Sequence, residues 1–197
     1  MNLKYVSALL ASCVLLTSCL KQPVSPDEKL IFLPASQMAQ YGAKLPGTYS
    51  QYEKYTKKMY YDSTFELQYE YSLPENVDSD LRLLIETYSF ENKSSDVFVN
   101  DIVTKGVTST IYHANGISLS EKVNSFEWGR KSAVYDILSK NKLLVGSRFV
   151  ASSDKMNFSF TIIGMHIAEK EIWSELLKNK LDRAKSFTIG LYSLKAK

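Results

Sequence analysis

The sequence predicts an α+β fold in which an antiparallel β-sheet is covered by a C-terminal amphipathic helix. Three observations predict it. From Phe65 to Leu73, Phe65, Leu67, Tyr69, Tyr71 and Leu73 alternate with Glu66, Gln68, Glu70 and Ser72, the period-two pattern of a strand with one buried and one wet face. Three apolar segments, about Trp128 to Leu138, Leu143 to Ala151 and Met156 to Ile163, are joined by Ser139-Lys140-Asn141 and Ser152-Ser153-Asp154. Connections that short imply antiparallel neighbours, because a parallel pair needs a long crossover. Last, Ile172, Trp173, Leu176, Leu177, Leu181 and Ala184 form an apolar stripe at helical spacing.

The elements follow in order. Residues 20–57 hold Pro23, Pro26, Pro34 and Pro46, which disfavour regular structure, and read as a tether and lead-in. Within them Leu30-Ile31-Phe32-Leu33 is an apolar run that fits an edge strand or a packed arm. The globular domain is expected over 58–197. After the Phe65 strand, Pro74-Glu75-Asn76 breaks the chain, Leu81 to Phe90 is the next strand, and Glu91-Asn92-Lys93-Ser94 is a polar turn. Ser95 to Lys105 fits a short capped helix stopped at Gly106, with a strand through Val97-Phe98-Val99 as the rival reading. The final helix spans Glu169 to Lys185. Glu169 and Glu171 near its start and Lys178, Lys180, Arg183 and Lys185 toward its end suit the helix dipole. Such a helix after a meander is expected to cover the apolar face of the sheet, with Lys180 on the side away from it.

The first twenty residues speak to address. Lys4 supplies a positive start, and Tyr5 to Leu16 is uncharged. That run of roughly twelve residues matches a signal-peptide core, whereas a membrane-spanning helix needs about twenty. Leu16-Thr17-Ser18-Cys19 follows at once and resembles the bacterial lipobox. The resemblance implies cleavage of residues 1–18 as a signal peptide. It also implies acylation at Cys19 with diacylglycerol and fatty acid such as palmitate. The membrane is then a partner through the N-terminal lipid. Leu20, rather than an aspartate, follows the cysteine. The expected address is the outer membrane, facing the periplasm. Cys13 lies in the discarded segment, so the mature chain would have no disulfide and no catalytic thiol.

Composition bounds the function classes. Hydrophobic residues make up 45% of the 197 and charged residues 23%, which argues for a folded core rather than disorder. The net charge of +3 is spread without a basic block, which argues against a nucleic-acid partner. Only His113 and His166 could act as imidazole bases, and neither sits in a nucleophile, zinc or phosphate-loop motif. His113-Ala114-Asn115-Gly116 reads as a surface turn. The acid pairs Asp78/Asp80 and Glu169/Glu171 read as a solvated loop and a helix start. No catalytic, cofactor or metal residues are assigned. Thirteen tyrosines stand out, and Tyr49, Tyr52 and Tyr55 among lysines are candidate partner contacts, since the ring buries area and keeps a polar tip. The competing reading has these rings pack the lead-in against the domain.

The order of elements from Gly129 to Ile189, three strands, a helix and then Ser186-Phe187-Thr188-Ile189, resembles the PsbP/Mog1-like α+β sandwich. That family includes bacterial lipoproteins and non-enzymatic partner-binding subunits. The resemblance implies binding rather than catalysis and transfers no site residues. The expected function is thus a lipid-anchored, non-catalytic binding or assembly-assisting protein with an envelope protein or glycan as partner. The alternative is a hydrolase acting on cell-envelope material.

Overall fold

The sheet begins where the lead-in was expected to be loose. A computed structural model describes residues 20–60, 64–74, 76–91, 118–123, 126–165 and 167–193. Its strands are β1 (Leu20–Gln22), β2 (Glu53–Met59), β3 (Phe65–Ser72), β4 (Leu83–Phe90), β5 (Ser118–Val123), β6 (Lys131–Leu138), β7 (Leu144–Ser152) and β8 (Met156–Ile163). They form one eight-stranded sheet in the order β1-β2-β3-β4-β8-β7-β6-β5, and every strand pair is antiparallel. Two four-stranded meanders thus meet at the β4–β8 ladder. The α+β class read from the sequence is what the chain adopts, with the helix α3 (Lys170–Ser193) following the sheet. The predicted segment Ser95 to Lys105, His113, His166 and Cys19 lie outside the described residues.

Register divides the sheet into two unlike faces. Leu67, Tyr88, Phe158 and Ala151 stand in one row across it, and Tyr69, Glu86, Phe160, Phe149 and Val134 in the next. This apolar face is covered by α3 and by residues 24–52. From α3, Trp173, Leu177, Leu181 and Ala184 are buried. From the lead-in, Ile31, Phe32, Leu33, Ala35 and Met38 are fully buried and belong to the same core. The opposite face is polar on β3, with Glu66, Gln68 and Glu70 only partly covered. On β7 and β8 that face is also buried, and it carries Arg148, Val150, Asn157, Ser159 and Thr161.

Local chemistry explains the lead-in. Ser25-Pro26-Asp27-Glu28 makes a capping box for α1 (Pro26–Lys29): the Glu28 N–H donates to Ser25 Oγ at 3.2 Å and the Ser25 N–H to Glu28 Oε2 at 2.8 Å. Proline at the first helical position loses no bond there. The chain then runs through Leu30–Leu33 without regular structure, forms α2 (Ala35–Met38), and turns at Gly42, whose φ is +91°. The run Leu30–Leu33 is a packed arm rather than an edge strand. Its Leu30 is the exposed exception, at 47%.

Four expectations for the last helix need correcting. It extends about two turns past Lys185, so Lys178, Lys180, Arg183 and Lys185 sit in its middle, not its last turn. Ser186 and Phe187 lie within the helix, not after it. Ile172 is 51% exposed and faces away from the core that Trp173 enters. Lys180 is not on a wet outer side either: its Nζ donates to the carbonyls of Leu30 at 3.0 Å and Phe32 at 2.9 Å.

Candidate functional site

A connected cluster of polar side chains is built against the arm. Glu86 and Tyr88 are two apart on β4 and so share a face; Tyr69 pairs with Glu86 on β3, and Tyr55 pairs with Tyr69 on β2. Lys180 reaches in from α3. Each of these elements directs a polar group at the arm's main chain. Glu86 Oε2 accepts the Leu33 N–H at 2.8 Å. Tyr88 Oη stands 2.9 Å from the Ile31 carbonyl and 2.6 Å from Glu86 Oε1. Tyr69 Oη accepts the Ala35 N–H and donates to Glu53 Oε1, both at 2.7 Å. With the two Lys180 bonds, five consecutive-to-alternate main-chain groups of an irregular segment are matched by side chains. That match is what lets non-helical backbone lie buried, since an unpaired buried amide or carbonyl costs on the order of 1–3 kcal/mol.

Burial dominates the electrostatics. It pushes the Glu86 carboxyl up to about 7, against the opposing pull of the Leu33 N–H, the Tyr88 hydroxyl and the Lys180 charge. Burial and the neighbouring Glu86 raise Tyr88 well above the usual phenol range. Tyr69 is raised by burial and by its bond to Glu53, and Tyr55 is pushed up to about 12 by burial, Glu53 and Glu86. Burial lowers Lys180, opposed by the attraction of Glu86. At the arm's start, Lys57 on β2 pairs with Glu28 at 2.5 Å, with both side chains mostly shielded.

The tyrosines singled out in the sequence sit around this arm. Tyr55 packs on Phe32 at 5.7 Å and on Tyr69 at 4.9 Å between ring centroids, and Lys29 Nζ lies 4.7 Å above its ring. Tyr49 and Tyr52 are half-buried against the core. All three therefore touch the domain and also keep some surface. The acid pairs stay apart from the cluster: Asp78 makes an exposed ion pair with Lys44 at 2.9 Å, and Glu169 and Glu171 are exposed at the start of α3. Sequence reasoning missed Glu86, Tyr88 and Lys180. A glutamate at an inward position of a strand was the available signal.

Two other surface features are present. A cleft of about 250 Å³ lies at the end of the sheet where Leu20 pairs with Met59, and it is lined by Tyr60, Glu66, Glu91 and the stacked rings of Phe65 and Phe90. At the other end, the β6–β7 hairpin exposes Leu143 and Leu144 beside Lys140 and Lys142. Among the described residues, no group of three His, Cys, Asp or Glu side chains is placed to hold a metal ion, and no helix is long and apolar enough to cross a membrane. Comparison with known proteins gives no match: no family model, no characterised protein and no solved structure is significantly similar to the chain.

Proposed function

We propose that the chain is a lipid-anchored envelope protein, acylated at Cys19, whose domain binds an envelope protein or glycan or assists its assembly without catalysing a reaction. The address is the outer membrane, facing the periplasm. One observation supports this reading beyond the lipobox resemblance of Leu16-Thr17-Ser18-Cys19. Strand β1 starts at Leu20 and is paired to β2 through Lys21 and Gln22. A lipid on Cys19 would thus hold the edge of the sheet one residue from the bilayer, with no slack tether between them. The Glu86 cluster fits a structural role in holding the arm, because its donors and acceptors are engaged by main-chain groups of the arm.

Detergent phase partitioning tests the anchor. One acyl chain binds a bilayer only marginally and two or more hold stably. Wild-type protein is expected in the detergent phase with labelled palmitate incorporated, and Cys19→Ala in the aqueous phase or as an uncleaved precursor. Sucrose-gradient fractions should carry the wild type with outer-membrane markers. Unlabelled wild-type protein in the aqueous phase would end this reading.

A further inference from the structure

The Glu86–Tyr88 pair poses a proton-count problem. Tyr88 has one hydroxyl proton and two acceptors within reach, the Ile31 carbonyl at 2.9 Å and Glu86 Oε1 at 2.6 Å. If Glu86 is neutral, its O–H donates to Tyr88 Oη, Tyr88 donates to Ile31, and Glu86 Oε2 still accepts from Leu33. Every contact in the chain is then made. If Glu86 is ionised, the Tyr88 proton turns to the carboxylate, as the stronger acceptor, and the Ile31 carbonyl loses its donor. The two protonation states thus grip the arm differently.

We propose that Glu86 and Tyr88 form a proton-operated latch on the arm at residues 30–35, closed when Glu86 is neutral and loosened when it is ionised. The geometry supports this from each packed element. On β3 and β2, Tyr69, Tyr55 and Glu53 face Glu86, and none of them offers a positive charge to stabilise the carboxylate. On β8 the facing residues are Phe158 and Phe160, which do not ionise. The positive groups are Lys180 on α3, with Arg183 near it, Lys29 over the Tyr55 ring, and Lys57 on β2, which is paired with Glu28. Lys180 is held by Leu30 and Phe32 rather than by Glu86, so it attracts the carboxylate without pairing with it. Burial of Glu86 holds its proton up to about pH 7, so the latch works near neutrality. Opening would free the arm between β1 and β2, while β1 stays paired to β2 through Leu20–Gln22. The latch does not rest on the proposed lipid at Cys19.

Hydrogen exchange on the whole protein in detergent solution, at pH 6 and pH 8 with intrinsic rates corrected, reads the latch directly. Peptides covering Leu33 and Ala35 should lose about tenfold in protection between these pH values, the change expected for one proton with a midpoint near 7. At pH 8 they should exchange faster than peptides from β8. Glu86→Gln mimics the neutral acid, its amide donating to Tyr88 and its carbonyl accepting from Leu33, and should abolish the pH effect. Arm protection that is constant in the wild type overturns the latch. So does arm exchange at the β8 rate at pH 8, because the arm would then open only with the whole fold. An equal loss in Glu86→Gln overturns it too. If that variant does not fold, the wild-type arm and β8 rates decide alone. None of these readouts depends on whether Cys19 is acylated.

Discussion

Lys180 on α3 donates to the Phe32 carbonyl at 2.9 Å, joining residues 148 positions apart. The bond ties the last helix to the arm that begins the domain. Lys180→Ala removes it along with the bond to Leu30, and leaves the carbonyl of the buried Phe32 without its donor. We expect a stability loss of about 1–2 kcal/mol in an equilibrium urea melt. A change within about 0.5 kcal/mol, typical of a surface substitution, would mean that water replaces the lysine freely.

The same helix separates core from surface. Leu177 is fully buried and Ile172 is half-exposed. Leu177→Ala should cost about 2–5 kcal/mol, as truncation of a buried large apolar side chain does. Ile172→Ala should cost no more than about 0.5 kcal/mol. Equal effects in the two urea melts would mean that the helix is docked through another face.

Glu86 gives a pH dependence with a definite sign. Its carboxyl is raised by burial from 4.5 to about 7, so the native state holds a proton that the unfolded chain releases. The stability linked to that proton is fully present below about pH 4.5 and is lost as pH rises through about 7. The loss is on the order of 3 kcal/mol at most. The urea midpoint of the wild type should therefore fall between pH 5 and pH 8. Glu86→Gln should flatten that fall and match or exceed wild-type stability at pH 8. A wild-type midpoint that rises over this range would contradict the assignment.

Gly146 tests the packing of β7 on β8. A Cβ at this position would meet the Ile162 carbonyl oxygen and carbon of the neighbouring strand, both backbone atoms that cannot turn aside. Gly146→Ala should therefore destabilise the protein severely or prevent folding, while Gly47→Ala, with open space around it, should be tolerated. Soluble expression and thermal melts of the two variants check this.

The sequence shows some of these elements clearly and hides others for physical reasons. Met156–Ile163 is legible to the residue, and Phe65–Ser72, Leu83–Phe90 and Leu144–Ser152 to within two, because buried apolar side chains dominate their patterns. β2 is hidden because two of its inward positions are the charged Glu53 and Lys57, which are satisfied only by Tyr69 and Glu28 from elsewhere in the fold. β1 is too short for a period, and the prolines of the lead-in suggest a tether. The capping pattern Ser25-Pro26-Asp27-Glu28 was nonetheless a local sign of order there. The candidate site was largely illegible. Glu86, Tyr88 and Lys180 come together only through β-ladder register and helix docking, and a single lysine in an amphipathic helix looks like surface until its partners are seen.

The central structural claim is that residues 20–52 belong to the folded domain, with the arm as part of its core. Equilibrium urea unfolding of two soluble chains tests it most directly. One starts at Leu20, and the other starts at Glu53 and so keeps β2 whole. The claim predicts a cooperative transition for the first. For the second it predicts no cooperative transition, or a midpoint far lower, since Ile31, Phe32, Leu33 and Met38 leave an open apolar face behind. Two cooperative transitions with the same midpoint would contradict it and return residues 20–52 to the role of a tether.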